Sequence, residues 1–208
     1  MTIKNKTKKI INSESGIYFT RLTPNSENWR KPTGVDGKCS SAKLYEAEYG
    51  FGWEEWLFEE YYLNLNDPNY RCKGFIQAFN KKNKSRKIQR LYLYTKECNS
   101  KNPAAFSCYY VGYIENIEVI DSMARPKSEV EPTLSQAGIT HDKYNCMLKH
   151  AYNIKFSVKD VHIIKKIDPE CTIKLNKGQV RFALYDIHSH QNFIKELESL
   201  KLKKCENV

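Results

Sequence analysis

The run CYYVGYIENIEVI, residues 108–120, decides how this chain folds. Tyr, Val and Ile dominate it, and aromatic and β-branched side chains suit a pleated, half-buried surface. It predicts a strand, on which Tyr109 and Tyr110 face opposite sides of a sheet. Similar stretches lie on either side of it. GIYFTRL (16–22) sets Ile17, Phe19 and Arg21 against Tyr18, Thr20 and Leu22. KGFIQAF (73–79), LYLYT (91–95), NIKFSVKDVHII (153–164) and GQVRFALYDI (178–187) also read as strands bounded by polar loops. A hairpin is predicted between 73–79 and 91–95.

Helical spacing appears in three places. In WEEWLFEEYY (53–62), Trp53, Trp56, Leu57 and Tyr61 share one face. Glu54 and Glu55 fall in its first turn, where carboxylates favour the helix dipole and repel a phosphate. Residues 135–153 predict a helix with Tyr144, Met147, Leu148 and Ala151 inward, after a proline-containing connector at 121–134. Residues 191–204 predict a final amphipathic helix with Phe193, Leu197 and Leu200 inward. About six short strands broken by helices, with no βαβ alternation, predict an α+β fold. A small curved, partly closed β-barrel with peripheral helices is its natural form.

With 208 residues, 40% hydrophobic, the chain is long and apolar enough to bury a core. Residues 1–15 read as a basic mobile arm without the apolar stretch of a secretory signal. Residues 16–190 read as the domain and 191–208 as the helix packed on it. No apolar run reaches the roughly 18 residues that mark a membrane span. Seven cysteines, odd in number and without a CxxC, point to free thiols in a reducing cytoplasm. His188 and His190 beside Asp186 lack a third ligand at metal-site spacing, so neither a metal nor another cofactor is expected.

The formal net charge is +10. Lys4, Lys6, Lys8 and Lys9 fall in the arm, and Lys81, Lys82, Lys84, Arg86, Lys87 and Arg90 fall in KKNKSRKIQR. Neither stretch contains an acid, and the acids gather at 46–60 and 115–131. Such segregation points to a polyanion, because lysine and arginine neutralise phosphates. Catalytic constellations are absent: no GxSxG, no HExxH, no phosphate loop. Asp36 in GVDGK matches a metal-nuclease D-x-K by letter only and reads better as a turn. A binding module without its own catalytic motif is the expectation.

Aromatic rings remain as candidate base contacts, because flat rings stack on bases. Trp29, between Asn28 and Arg30 in a polar loop, reads as a ligand contact or as a loop anchor packed on the core. Tyr49 and Phe51 lie in a glycine-flanked turn. Trp53 and Trp56 read more naturally as core.

The order IYFTRL, NWRKPTG, YGFGWEEWLF, GFIQAF, LYLYT, YYVGYIENIEVI resembles the reader domains of prokaryotic modification-dependent restriction and defence systems. These are similar to the PUA superfamily, with its EVE, YTH and SRA-like members. The resemblance covers roughly residues 17–185. It implies a PUA-like barrel that flips a modified base, a cytosine derivative first, into an aromatic pocket. That pocket would use Trp29, Tyr49, Phe51 and Trp53, with Arg30, Lys31 and the 81–90 loop on phosphate. Double-stranded DNA is the implied partner ahead of RNA, alongside a separate nuclease or motor subunit. The N-terminal tryptophan pattern of EVE domains and a full YTH cage spacing are not present. The rival readings are an RNA-binding module of the same barrel type, a metal-dependent nuclease using Asp36, and an interaction subunit docking a basic partner on the acidic 46–60 face.

Overall fold

The computed structural model describes residues 16–34, 51–79, 87–99, 102–138, 152–164, 169–175 and 183–205. The arm at 1–15, Asp36, Tyr49, the Lys81–Arg86 part of the basic run and the body of the helix expected at 135–153 lie outside them.

The fold is α+β, and β4 (Asn102–Met123) is its axis. The stretch 108–120 is a strand as expected, extended at both ends. One edge of β4 pairs antiparallel with β3 (Lys87–Asn99), and β3 pairs parallel with β1 (Gly16–Leu22). The other edge takes three strands in succession. β5 (Tyr152–Ser157) covers residues 118–123, β6 (Val161–Ile163) covers 112–114, and β7 (Thr172–Ile173) covers 108–109. β2 (Arg71–Gly74) and β8 (Tyr185–Asp186) end the sheet, paired with β5 and β1.

Four expectations change. The expected partly closed barrel is an open sheet among the described residues, because β2 and β8 each end the order without meeting. The predicted 73–79/91–95 hairpin does not form. β2 turns to β5, while β3 forms its hairpin with β4. Residues 75–79 leave the strand because Asn153 holds them as a turn. Its Oδ1 accepts from Ile76 N, and its Nδ2 donates to the carbonyls of Ile76 and Phe79. Finally, 153–164 is two strands, split by a 3-10 turn at Val158–Asp160.

Both faces of the sheet are buried, which explains the near-continuous apolar strands. Alternation sends Tyr18, Leu91, Leu93, Val111 and Ile114 to one core. Phe19, Tyr92, Tyr94, Tyr110 and Tyr113 go to the other. The first core is covered by Trp29, Leu57, Phe58 and Phe79. The second lies under α3 (Gln191–Cys205), through Ile194 and Leu197 with Phe193 and Leu200 beside them. The other α-helices among the described residues are α1 (Glu59–Leu63) and α2 (Lys127–Gln136). α2 begins inside the predicted connector and buries Val130 and Leu134.

The β3/β4 register shifts between Leu93 and Tyr94, leaving Val111 as an extra residue beside Gly112. Gly112 has φ +138, and a Cβ there would collide with the backbone of His162 and Ile163. Gly112→Ala is therefore expected to destabilise the fold by about 2–4 kcal/mol, read from urea unfolding.

Cys72, Cys108 and Cys171 are buried free thiols. Burial, and then the Glu60 carboxylate, push the Cys72 thiol up to about 12. Cys72 therefore stays protonated near neutral pH, and the thiolate is the nucleophilic form. Iodoacetamide at pH 8 is expected to leave Cys72 unlabelled in the folded protein and to label it in denaturant, as read by peptide mass mapping.

Candidate functional site

The aromatic candidates are placed by packing. Trp29 keeps 2% of its surface, and its Nε1 donates to the Thr23 carbonyl at 2.8 Å. Of the two roles its sequence context allowed, it takes that of loop anchor. Asn25 holds the loop by accepting at Oδ1 from Glu27 N and Trp29 N, and Asn28 and Trp29 both adopt positive φ. Phe51 is sealed and Trp53 keeps 8% of its surface. Both pack with Trp56, Val130, Leu134 and Tyr152 in a third apolar cluster. The pocket proposed from Trp29, Phe51 and Trp53 is thus corrected: Trp29 is buried in the first core and Phe51 and Trp53 in the third cluster, so the three rings do not gather around one space and offer no open face to a base.

WEEW is also not the start of one continuous helix. Trp53–Trp56 is a 3-10 turn, and α1 begins only at Glu59. The Phe58 N–H, which a continuous helix would bond internally, donates instead to the Trp29 carbonyl at 2.9 Å. Glu54 and Glu55 point inward and are almost fully buried. Glu54 accepts from Thr23 N, Thr23 Oγ1 and Gln77 N. Glu55 accepts from Asn25 Nδ2, Thr33 N, Thr33 Oγ1 and Gly52 N. Sequence reasoning saw them as first-turn carboxylates. Their role is to satisfy the backbone of two surrounding loops, which no local pattern announces.

The basic candidates separate as well. Arg90 is committed to the protein: Nε donates to Glu115 at 2.9 Å, and Nη1 to the Tyr92 hydroxyl and Glu198. It also stacks over Tyr113, so its place in the phosphate set is corrected. Glu198 lies on α3, and this network fastens that helix to the sheet. Arg30 and Lys31 are exposed and pair with Glu27 at 3.4 and 3.9 Å. Lys87 is exposed at the start of β3, directly after residues 81–86.

An interruption in the β3/β4 ladder marks a different site. Ile88 pairs with Ile117 and Arg90 with Glu115, but no pair joins Gln89 to Asn116 between them. Ile88 and Leu91 face the same core although three residues apart, and so do Ile114 and Ile117. Each strand therefore slips half a period at the same rung, and the register survives. Asn116 has φ +50, a left-handed conformation that asparagine tolerates better than most residues. Its Nδ2 donates to Asp160 Oδ1 at 3.0 Å. Asp160 is buried in the 3-10 turn between β5 and β6.

A pocket of about 380 Å3 opens at this rung. Gln89 and Asn116 line it, flanked by Lys87, Glu118 and Arg71, with the buried Ile88 and Ile117 behind them. Arg71 Nη2 donates to Glu118 Oε2 at 2.9 Å. The volume falls within the range of roughly 300–1,000 Å3 usual for small-ligand sites. Sequence reasoning reached Lys87 but missed the rest. The legible signal was the polar interruption Glu115, Asn116 and Glu118 in a strand otherwise rich in apolar and aromatic residues.

Elsewhere, His188 and Asp186 form an exposed turn, with His188 N donating to Asp186 Oδ1. No trio of metal-ligating side chains gathers among the described residues, and no described helix is long and apolar enough to cross a membrane. The chain matches no protein-family model, no curated protein and no solved structure.

The buried clasps and the exposed basic residues differ in their expected mutational cost. Trp29→Ala is expected to cost about 3–5 kcal/mol of stability, and Glu55→Ala about 3 kcal/mol through its orphaned donors. Lys87→Ala should stay within about 0.5 kcal/mol. Chemical denaturation of the three variants checks the order.

Proposed function

We propose that the chain is a nucleic-acid-binding module, with double-stranded DNA as its first partner. The basic run 81–87 holds phosphates, and the pocket at Gln89 and Asn116 receives a base. The observation that carries this reading is positional. The pocket begins at Lys87, where the acid-free run enters β3. A base-sized recess beside a phosphate-binding segment is what a protein needs to inspect one nucleotide taken out of the stack.

Membership of the PUA-like readers, and work beside a separate nuclease or motor subunit in restriction or phage defence, belong to the same proposal. So does a cytoplasmic setting, which suits the buried thiols. The recess differs from the aromatic cage that the resemblance implies: its rim is amide, carboxylate and cation. An RNA target is the alternative outcome of the same titration.

Phosphate contacts carry no sequence information but set the salt dependence. Lys84→Ala and Lys87→Ala are expected to weaken binding to all sequences alike. Each should lower the slope of log K against log salt by about 1. Fluorescence anisotropy with matched DNA and RNA over a salt series measures this. Absence of binding to either at low salt rules the function out.

A further inference from the structure

We propose that the pocket at the interrupted rung reads guanine, through the edge that carries N1–H and the 2-amino group. The inference rests on the nucleic-acid reading and names the base that the pocket takes.

Two exposed side chains of β4 in the pocket each have one polar atom engaged by a partner. Asp160, as a carboxylate, only accepts, so the amide of Asn116 must turn its NH2 toward it. That leaves Asn116 Oδ1, which has no partner among the described residues, as the group that faces a ligand. Arg71 only donates, and it takes Glu118 Oε2. That leaves Glu118 Oε1, which has no partner among the described residues. Asn116 and Glu118 are two residues apart on one strand and line the same recess. The recess thus presents two oxygen acceptors whose identities cannot be exchanged by flipping an amide.

A ligand matched to two acceptors must bring two donors. On its pairing edge guanine has N1–H and the 2-amino group side by side, with O6 next to them. Adenine and cytosine set one donor beside an acceptor there, and thymine sets one donor between two acceptors. An oxygen facing an acceptor leaves both unsatisfied, which is how a polar site rejects the wrong ligand. Gln89, also on the pocket wall and without a partner among the described residues, supplies the N–H that O6 requires. The pairing edge is hidden in a duplex, so the guanine must be unpaired or extruded.

The test titrates the full chain with labelled duplexes differing at one base placed opposite an abasic site. That base is guanine, inosine, adenine, cytosine or 5-methylcytosine. Guanine is expected to bind about tenfold tighter than inosine, which lacks only the 2-amino group, and tighter than the other three. Glu118→Gln is expected to remove this preference. Arg71 retains the amide oxygen, and the new NH2 then faces the ligand's donors. Circular dichroism checks that the variant is folded; if it is not, the guanine-to-inosine ratio of the native protein decides alone. Equal affinity for all five, or preference for either cytosine, overturns the guanine assignment and leaves the nucleic-acid reading standing. No binding to any duplex at low salt overturns both.

Discussion

The rest of the structure depends on the double pairing of β4. One edge is held by β3 and the other by β5, β6 and β7 in turn, while apolar cores cover both faces. A strand enclosed in this way has no free direction. Any break in its alternation must be answered by its neighbours, because a one-residue slip would exchange its core faces. The break at Asn116 is answered twice: by Gln89 slipping at the same rung, and by the 3-10 turn that brings Asp160 to the asparagine amide. The pocket is the space those adjustments leave.

The same logic of satisfaction governs the other side of the molecule. A protein of net charge +10 buries two adjacent carboxylates, Glu54 and Glu55, beside three large rings. A buried charge is tolerated only where donors surround it. The donors come from Thr23, Asn25, Thr33, Gly52 and Gln77. The WEEW turn thus anchors the loops around it, and Trp29 closes over the first core as part of that anchorage. Rings used this way are buried, and the polar groups that line the pocket lie on the sheet instead.

Charge follows the same division. Arg90 crosses to α3 through Glu198 and to its own hairpin through Glu115, so it works for the fold. One residue earlier, Gln89 has no such partner among the described residues and lines the pocket. Adjacent positions on one strand thus serve different ends, because the strand slips at Gln89 and leaves it outside the pairing that holds Arg90 opposite Glu115.

Much of this was legible in the sequence. The β-rich runs at 16–22, 91–95 and 108–120, the apolar face of the last helix, and the α+β class follow from side-chain type and period. The burial of Trp53, Trp56 and Leu57 follows from side-chain type, but the single helical face expected of them does not form, since Leu57 packs in the first core and the tryptophans in the third cluster. Pairing partners were not legible. β2 turned to β5 instead of forming a hairpin with β3, because Asn153 fixes residues 75–79 as a turn from 77 residues away for Ile76. The burial of Trp29 and the inward turn of Glu54 and Glu55 were likewise decided by distant donors and acceptors. The sequence alone determined the strands at 16–22, 91–95 and 108–120, the apolar face of the last helix and the basic run, because those depend on neighbours along the chain. Only the tertiary structure decided which rings were closed to ligands and where polar groups converge, because hydrogen-bond satisfaction is settled between segments that meet only once folded.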